Sequence, residues 1–258
     1  MEKQIFFFDI DGTLVDSTTH IVPESTKLAL KALKQQGHII CISTGRSLQS
    51  VCDSKFDQLA DWDIFLCNNG QAIYNAEKEL LFSKPITQQS VNACIDVANK
   101  QNVPLFIMTE NDQLLTKQPN DHVIISSAFF KEQIPEVKPY HQEPVIMMIA
   151  YGPMGYAYDE YKAIDGIDIL PGQSTYADVV LKGFHKGIGI QFILEHFHMK
   201  EYIAFGDSLN DVEMLKNARI GIAMGNGDEE VKKHGDYITE DVSDDGIYKA
   251  LQHFQILP

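Results

Sequence analysis

At 258 residues the chain is long enough for one large α/β domain or for two smaller ones, with a sizeable core in either case. A formal net charge of -15 argues against nucleic acid and anionic membrane as partners, since both would be repelled by the average surface, and any anionic small molecule must then meet a local positive group. No basic and apolar leader precedes the first expected strand, and no apolar run approaches the roughly 18 residues of a membrane span. The expectation is a cytoplasmic protein, a monomer or a weak homodimer.

The first element is expected at Ile5–Phe8, an unbroken apolar run of the kind found in strands buried on both faces of a parallel sheet. Asp9 and Asp11 follow two residues apart. In extended backbone their carboxylates leave one face and converge, which is costly unless something positive sits there. Gly12 permits a sharp exit, and residues 12–22 read as an irregular flap. Pro23 opens a helix that runs to Gln36, with Ala29, Ala32, Leu33 and Gln36 on its inner face and Gly37 as its stop. His38–Ser43 is a second strand, ending in Thr44, Gly45 and Arg46 before a helix from about Ser47. A hydroxyl and a glycine at such a junction suit a phosphate group, because free backbone N–H groups gather at helix starts; equally, Thr44 or Ser47 could simply cap the helix. A third strand over 63–68 leads into a hairpin with its turn near Asn75. Cys41 and Cys67 fall inside apolar strand runs and read as buried thiols, and the nine histidines form no grouping with metal-ligand spacing.

From Phe82 to Lys182 the texture changes. Eight of the ten prolines lie here (Pro85, Pro104, Pro119, Pro135, Pro139, Pro144, Pro153 and Pro171), and helical and strand-like segments alternate irregularly. Helices are expected at Gln88–Gln101, Ser126–Gln133 and Gly155–Ile164, and strands at Leu105–Met108, Val145–Ala150 and Val179–Leu181. The stretch reads as an inserted α+β domain, residues 82–182, between the two parts of a core formed by 1–81 and 183–258.

Beyond Lys182 the α/β rhythm returns. Lys186 stands at the start of a helix whose inner face carries Ile190, Ile193, Leu194 and Phe197. Tyr202–Phe205 is a buried strand running into Gly206, Asp207, Asn210 and Asp211, which repeats the logic of the first strand end; here too Asp207 or Ser208 could merely cap the helix that follows. A strand, a short helix, a short strand and a closing helix complete the chain. The order βαβαβ, an insertion, and αβ units again describes a doubly wound parallel sheet, in which ligands bind outside the carboxyl ends of the strands.

If the core strands are neighbours, Asp9, Asp11, Thr44, Lys186, Asp207, Asn210 and Asp211 meet at one edge. Oxygen ligands in that number suit Mg²⁺ held in an open site. Mg²⁺, a lysine and a hydroxyl around a carboxylate would also accept a phosphoryl group, with Asp9 as nucleophile. With DIDGT at 9–13, STGR at 43–46, HKG at 185–187, GDSLND at 206–211, NNG at 68–70 and the tail AMGNGDEEVKKHGDYIT, the chain resembles the haloacid dehalogenase superfamily. Within it, the likeness is to the Cof-like sugar-phosphate phosphatases with a large C2-type (IIB) cap inserted after the third strand. The resemblance implies a Rossmann-like core with an α+β cap and hydrolysis of small phosphorylated substrates through an aspartyl-phosphate. It makes Asp9 the nucleophile and a metal ligand, Asp11 the general acid/base with its backbone carbonyl on Mg²⁺, Asp207 the other carboxylate ligand and Asp211 a support of the metal shell. The backbone around Ile10 and Gly45, with Thr44, Lys186 and Asn210, would hold the phosphoryl group. His185 stands where serine is usual, and GNG where GNA is more typical. A phosphomutase would use the same nucleophile. A receiver-like signalling module would use a similar Mg²⁺ site but lacks the large insertion.

Overall fold

Ile5–Phe8 (β1) lies in an eight-stranded sheet with all four side chains at zero exposure. The computed structural model describes residues 3–257. After β1 come α1 (Glu24–Gln35), β2 (Ile39–Ser43), α2 (Leu48–Asp53), β3 (Ile64–Cys67), β4 (Ala72–Asn75) and β5 (Leu80–Ser83). Then follow α3 (Gln88–Gln101), β6 (Leu105–Thr109), β7 (Gln113–Leu115), α4 (Asp121–Phe130), β8 (Val145–Tyr151), α5 (Asp159–Lys162), β9 (Ile167–Pro171) and β10 (Tyr176–Leu181). The chain ends with α6 (Lys186–Phe197), β11 (Ile203–Gly206), α7 (Val212–Lys216), β12 (Ile220–Ala223), α8 (Glu229–Lys232), β13 (Tyr237–Ile238) and α9 (Gly246–His253).

Two compact units result, Met1–Leu81 with His185–Pro258, and Phe82–Phe184. The large sheet of the first has the order β13-β12-β11-β1-β2-β3-β4-β5. From β13 to β3 every pairing is parallel, with Phe7 opposite both Cys41 and Ala204, and β4 returns antiparallel to β3. Parallel neighbours on both sides explain why β1 is apolar at every position rather than at alternate ones. Its rings fill both layers: Phe8 stacks on Phe205 at 5.0 Å, and Phe7 meets Tyr202 edge-on at 5.4 Å. Helix α1 buries Thr26, Ala29, Leu30 and Leu33. Leu30 thus takes the inner place expected of Ala32 and Gln36, which are only half-buried. Cys41 and Cys67 are buried thiols. The hairpin closes through the Asn75 amide, whose N–H donates to the Glu79 carbonyl (3.0 Å) while its side chain accepts from the Glu79 N–H (2.8 Å).

The second unit is a five-stranded sheet of order β7-β6-β8-β10-β9, each pair antiparallel. Side chains alternate along β8 as a pleated strand requires: Met148 and Ala150 join a cluster with Val91, Cys94 and Ala98 of α3 and Tyr161 of α5, and Met147 and Tyr151 join another with Val123 of α4. Several expectations are corrected here. Helix α4 begins at Asp121, not Ser126, because Asn120 caps it by accepting from the Val123 N–H (3.1 Å), and it stops at Phe130 where Lys131 turns left-handed (φ 54°). The segment 155–164 holds only the single turn α5, since Gly155 (φ 75°) and Tyr158 (φ 55°) are left-handed. Strands β7 and β9 were not expected; the first is a three-residue edge strand, and the second is a half-exposed edge strand that ends in Pro171.

Candidate active site

Strands β1 and β11 are parallel neighbours, so their carboxyl ends project the two acidic segments side by side, and the Asp9 N–H donates to the Phe205 carbonyl at 3.0 Å. Asp9, Asp207 and Asp211 are buried, and each offers a carboxylate oxygen within 4.8 Å of the others'. Lys186, the first residue of α6 and itself at zero exposure, donates to Asp9 Oδ1 (2.6 Å) and to Asp211 Oδ1 (2.7 Å). Asp211 is engaged on both sides, because its Oδ2 accepts from the backbone N–H groups of Asp207 (3.0 Å) and Ser208 (3.1 Å). It therefore serves as a bracket that fixes Lys186 against the turn after β11. Burial pushes the Asp9 carboxyl up to about 7 against the pull of Lys186, with Asp211 and Asp11 pushing the same way as burial. Burial, with Asp9 and Asp211 nearby, also raises Asp207 well above the usual carboxylate range. Burial disfavours the Lys186 ammonium, yet Asp211 and Asp9 outweigh it and hold the lysine above its ordinary value.

The left-handed exit at Gly12 (φ 87°) makes this crowding possible. A Cβ there would lie 2.2 Å from Asp207 Oδ2, so only glycine lets the chain pass the carboxylate. The next residue, Thr13, donates its hydroxyl to Asp207 Oδ1 (3.1 Å), and the Gly12 carbonyl accepts from Asn226 Nδ2 (2.8 Å).

Asp11 departs from the cluster. Arg46 grips it with two parallel bonds, Nε to Oδ2 (2.7 Å) and Nη2 to Oδ1 (2.8 Å), and is itself held by Ser50 Oγ (3.1 Å), Ser54 Oγ (3.2 Å) and the face of Phe56, 5.4 Å away. Thr44 lies buried after β2 and accepts from the Arg46 N–H (3.1 Å). Ser47 caps α2, accepting from the Ser50 N–H (3.2 Å), so of the two candidate caps it is Ser47 that carries that role. Likewise Ser208, within a capping box with Asp211, caps the turn after β11, and Asp207 does not. Asn210 donates to Asn69 Oδ1 (2.9 Å) and accepts from Ser208 Oγ (2.7 Å). Ile10 is buried and its carbonyl takes the Leu14 N–H (2.9 Å), which leaves its backbone N–H as the group it can offer a ligand; Gly45 is half-buried between Thr44 and Arg46.

The structure thus draws Asp9, Asp207, Asp211 and Lys186 into one contact network, ties Thr44 to Arg46, and holds Asn210 against the loop after β3. Sequence reasoning assigned nothing to Arg46, Thr13, Asn69 or Asn226. Thr13, Arg46, Asn69 and Asn226 stand in DIDGT, STGR, NNG and the GNG of the tail, so the signal lay in the motifs; which partner each takes, as when Asn226 reaches Gly12 across 214 positions, did not.

A doubly wound core with a buried carboxylate and lysine cluster at the carboxyl edge of its sheet is the architecture of the haloacid dehalogenase superfamily. The family model for haloacid dehalogenase-like hydrolases matches residues 6–251. The chain is 27% identical over 259 residues to the 5-amino-6-(5-phospho-D-ribitylamino)uracil phosphatase YcsE of Bacillus subtilis (strain 168), covering 98% of this chain and 96% of the relative. It is 26% identical over 271 residues to the pyridoxal phosphate phosphatase YbhA of Escherichia coli (strain K12), covering 97% and 98%. Among solved structures, the HAD subclass IIB sugar phosphatase BT4131 superimposes with a TM-score of 0.87 at 34% identity over 99% of this chain and 100% of that one. The chain belongs to the haloacid dehalogenase-like hydrolase family, and it is an enzyme, a phosphatase. No described helix is long and apolar enough to cross a membrane.

Proposed function

We propose that the chain is a Mg²⁺-dependent phosphomonoesterase that hydrolyses small phosphorylated metabolites, sugar phosphates among them, through a phosphoryl group carried on Asp9. The observation that carries this reading is the buried cluster of Asp9, Asp207 and Asp211 around Lys186. With all three carboxylates ionised, one ammonium leaves an excess of two negative charges among buried side chains. A divalent cation matches that excess, and a donor set made only of oxygen suits Mg²⁺. Asp9, Asp207 and the Asp11 carbonyl would hold it, with Asp211 in support. Bound there, Mg²⁺ supplies positive charge to the phosphoryl oxygens.

The chain's own groups do the rest. An Asp9 carboxylate oxygen bonds to phosphorus as the ester P–O bond breaks, and the leaving oxygen takes a proton from Asp11. A water then attacks phosphorus, gives its proton to Asp11, and releases Asp9 and inorganic phosphate. Each Asp11 oxygen accepts one bond from Arg46 and keeps a further lone pair, so Asp11 can carry a proton to the leaving group while Arg46 holds its orientation. Lys186, Thr44, Asn210 and the N–H groups of Ile10 and Gly45 neutralise and orient the phosphoryl group. The curated relatives that act on pyridoxal phosphate and on a phosphoribitylamino-uracil, and the sugar phosphatase neighbour, support small phosphorylated metabolites as the substrate class.

The test is a panel of phosphorylated metabolites incubated with the purified protein and Mg²⁺, reading free phosphate, with phosphoenzyme trapped by acid quench. Turnover is expected with Mg²⁺, none in chelator, and neither turnover nor phosphoenzyme in Asp9→Asn, because an amide oxygen is a poor nucleophile. Full turnover in chelator, or a phosphoenzyme that survives Asp9→Asn, would overturn the reading.

A further inference from the structure

The motif NNG at 68–70 has no part in the mechanism above, yet its backbone is held in the left-handed region throughout. Asn68 (φ 52°), Asn69 (φ 54°) and Gly70 (φ 95°) are three consecutive left-handed residues. Asparagine tolerates that region better than other side chains, but a run of three is costly and persists only where the surroundings dictate it. Asn68 and Asn69 are almost fully buried, at 3% and 1% exposure.

The turn reaches each of the elements that carry the phosphate-handling groups. Its backbone donates to the loop after β2, from the Asn68 N–H to the Arg46 carbonyl (2.9 Å) and from the Asn69 N–H to the Thr44 carbonyl (3.0 Å). Gly70 lies against the start of α6: a Cβ on it would stand 3.0 Å from the His185 carbonyl oxygen and 3.2 Å from Lys186 Cα. The Asn69 side chain reaches the turn after β11, where its Oδ1 accepts from Asn210 Nδ2 (2.9 Å). Ser208 Oγ donates to the other end of the same amide (2.7 Å), so both ends of the Asn210 side chain are fixed.

We infer that Asn69 is a positioning residue: by accepting one Asn210 N–H it turns the second N–H of that amide towards the phosphoryl group, while the left-handed backbone of 68–70 sets the spacing between Thr44, Asn210 and Lys186. This rests on the proposed role of Asn210 as a phosphate ligand. A primary amide carries two hydrogens on one planar nitrogen, so fixing one fixes the direction of the other. The turn therefore contributes orientation without touching the substrate.

The experiment is a double-mutant cycle on Asn69→Gly and Asn210→Ala, reading the inhibition constant of inorganic phosphate and the KM and kcat for p-nitrophenyl phosphate in Mg²⁺. Glycine keeps the left-handed backbone and removes only the amide. Asn210→Ala is expected to weaken phosphate inhibition and raise KM about tenfold, the scale of one hydrogen bond to a charged group. Asn69→Gly should do nearly the same, and the double variant should be no worse than Asn210→Ala alone. No effect of Asn210→Ala would reject Asn210 as a phosphate ligand. A full effect of Asn210→Ala with none from Asn69→Gly, or with additive losses, would reject the positioning role alone. If Asn69→Gly does not fold, the wild-type protein decides by side-chain amide NMR. With phosphate and Mg²⁺ added, one Asn210 amide proton should shift strongly and the proton held by Asn69 little; equal shifts would overturn the inference.

Discussion

Lys186 has no exposed surface and two carboxylates within 2.7 Å, and its position at the head of α6 would ordinarily mark a solvated lysine. Coulombic attraction in a buried site offsets the desolvation of the three charges only while the set is complete, so removing the cation strands two carboxylates. Lys186→Ala is expected to cost on the order of 3 to 5 kcal/mol of stability in metal-free protein. It should also lower kcat by roughly 10²–10³-fold, the scale of losing a preorganised electrostatic donor. Melting curves with and without Mg²⁺ check the first figure. The gap to wild type should narrow in Mg²⁺, because the divalent ion supplies part of the missing charge. Lys182→Ala is the control: its ion pair with Asp165, 3.5 Å apart, is solvent-exposed, and its loss should leave melting and turnover unchanged. Equal behaviour of the two variants would show that the charge on Lys186 is not coupled to the cluster.

At the scale of elements, the exit from β1 is the tightest point, because its geometry is shared between two strand ends far apart in sequence. Gly12→Ala would force a Cβ into the Asp207 carboxylate and hold alanine at a left-handed φ. About 1 to 2 kcal/mol of stability should be lost to the backbone, and the apparent Mg²⁺ affinity, read from the metal dependence of turnover, should weaken at least tenfold. An unchanged metal dependence would detach Asp207 from the metal site. The elements of the first unit were legible because buried parallel strands announce themselves as apolar runs and their carboxyl ends as DIDGT, STGR and GDSLND. In the second unit the signal failed wherever burial was partial. Helix α4 buries Val123 and Ser126 while Ile124 and Ile125 stand half-exposed, so it has no apolar stripe to read; β9, intermediate at three of its five positions, has no clean alternation. Within the site, residue types and motifs could be read from the sequence. Their pairings could not: the Asp11–Arg46 and Asn69–Asn210 contacts depend on which way a side chain turns within a loop, and periodicity carries no information about that.

For the whole molecule, we propose that chemistry resides in the first unit and substrate choice in the second. The rings of Phe82 and Phe184 stack at 6.4 Å, so the insertion leaves and returns at one place and a short linker can replace it. Joining Ser83 to His185 through a few Gly and Ser residues preserves β5 whole. The product is expected to keep Mg²⁺-dependent hydrolysis of p-nitrophenyl phosphate while its kcat/KM values for different sugar phosphates become nearly equal. An unchanged rank order and spread would place specificity in the first unit. The arrangement of β1 has a further effect, on how the chain is born. Phe6 pairs with Ile40 on one side and with Ile203 on the other, so during synthesis the four apolar residues of β1 acquire one neighbour early and wait for the second until nearly the whole polypeptide has emerged. Through that interval β1 presents an unpaired apolar edge, the kind of surface that promotes association between unfinished chains. Slower elongation over the inserted segment would lengthen the exposure, which makes the yield of soluble protein sensitive to translation speed as well as to the final fold.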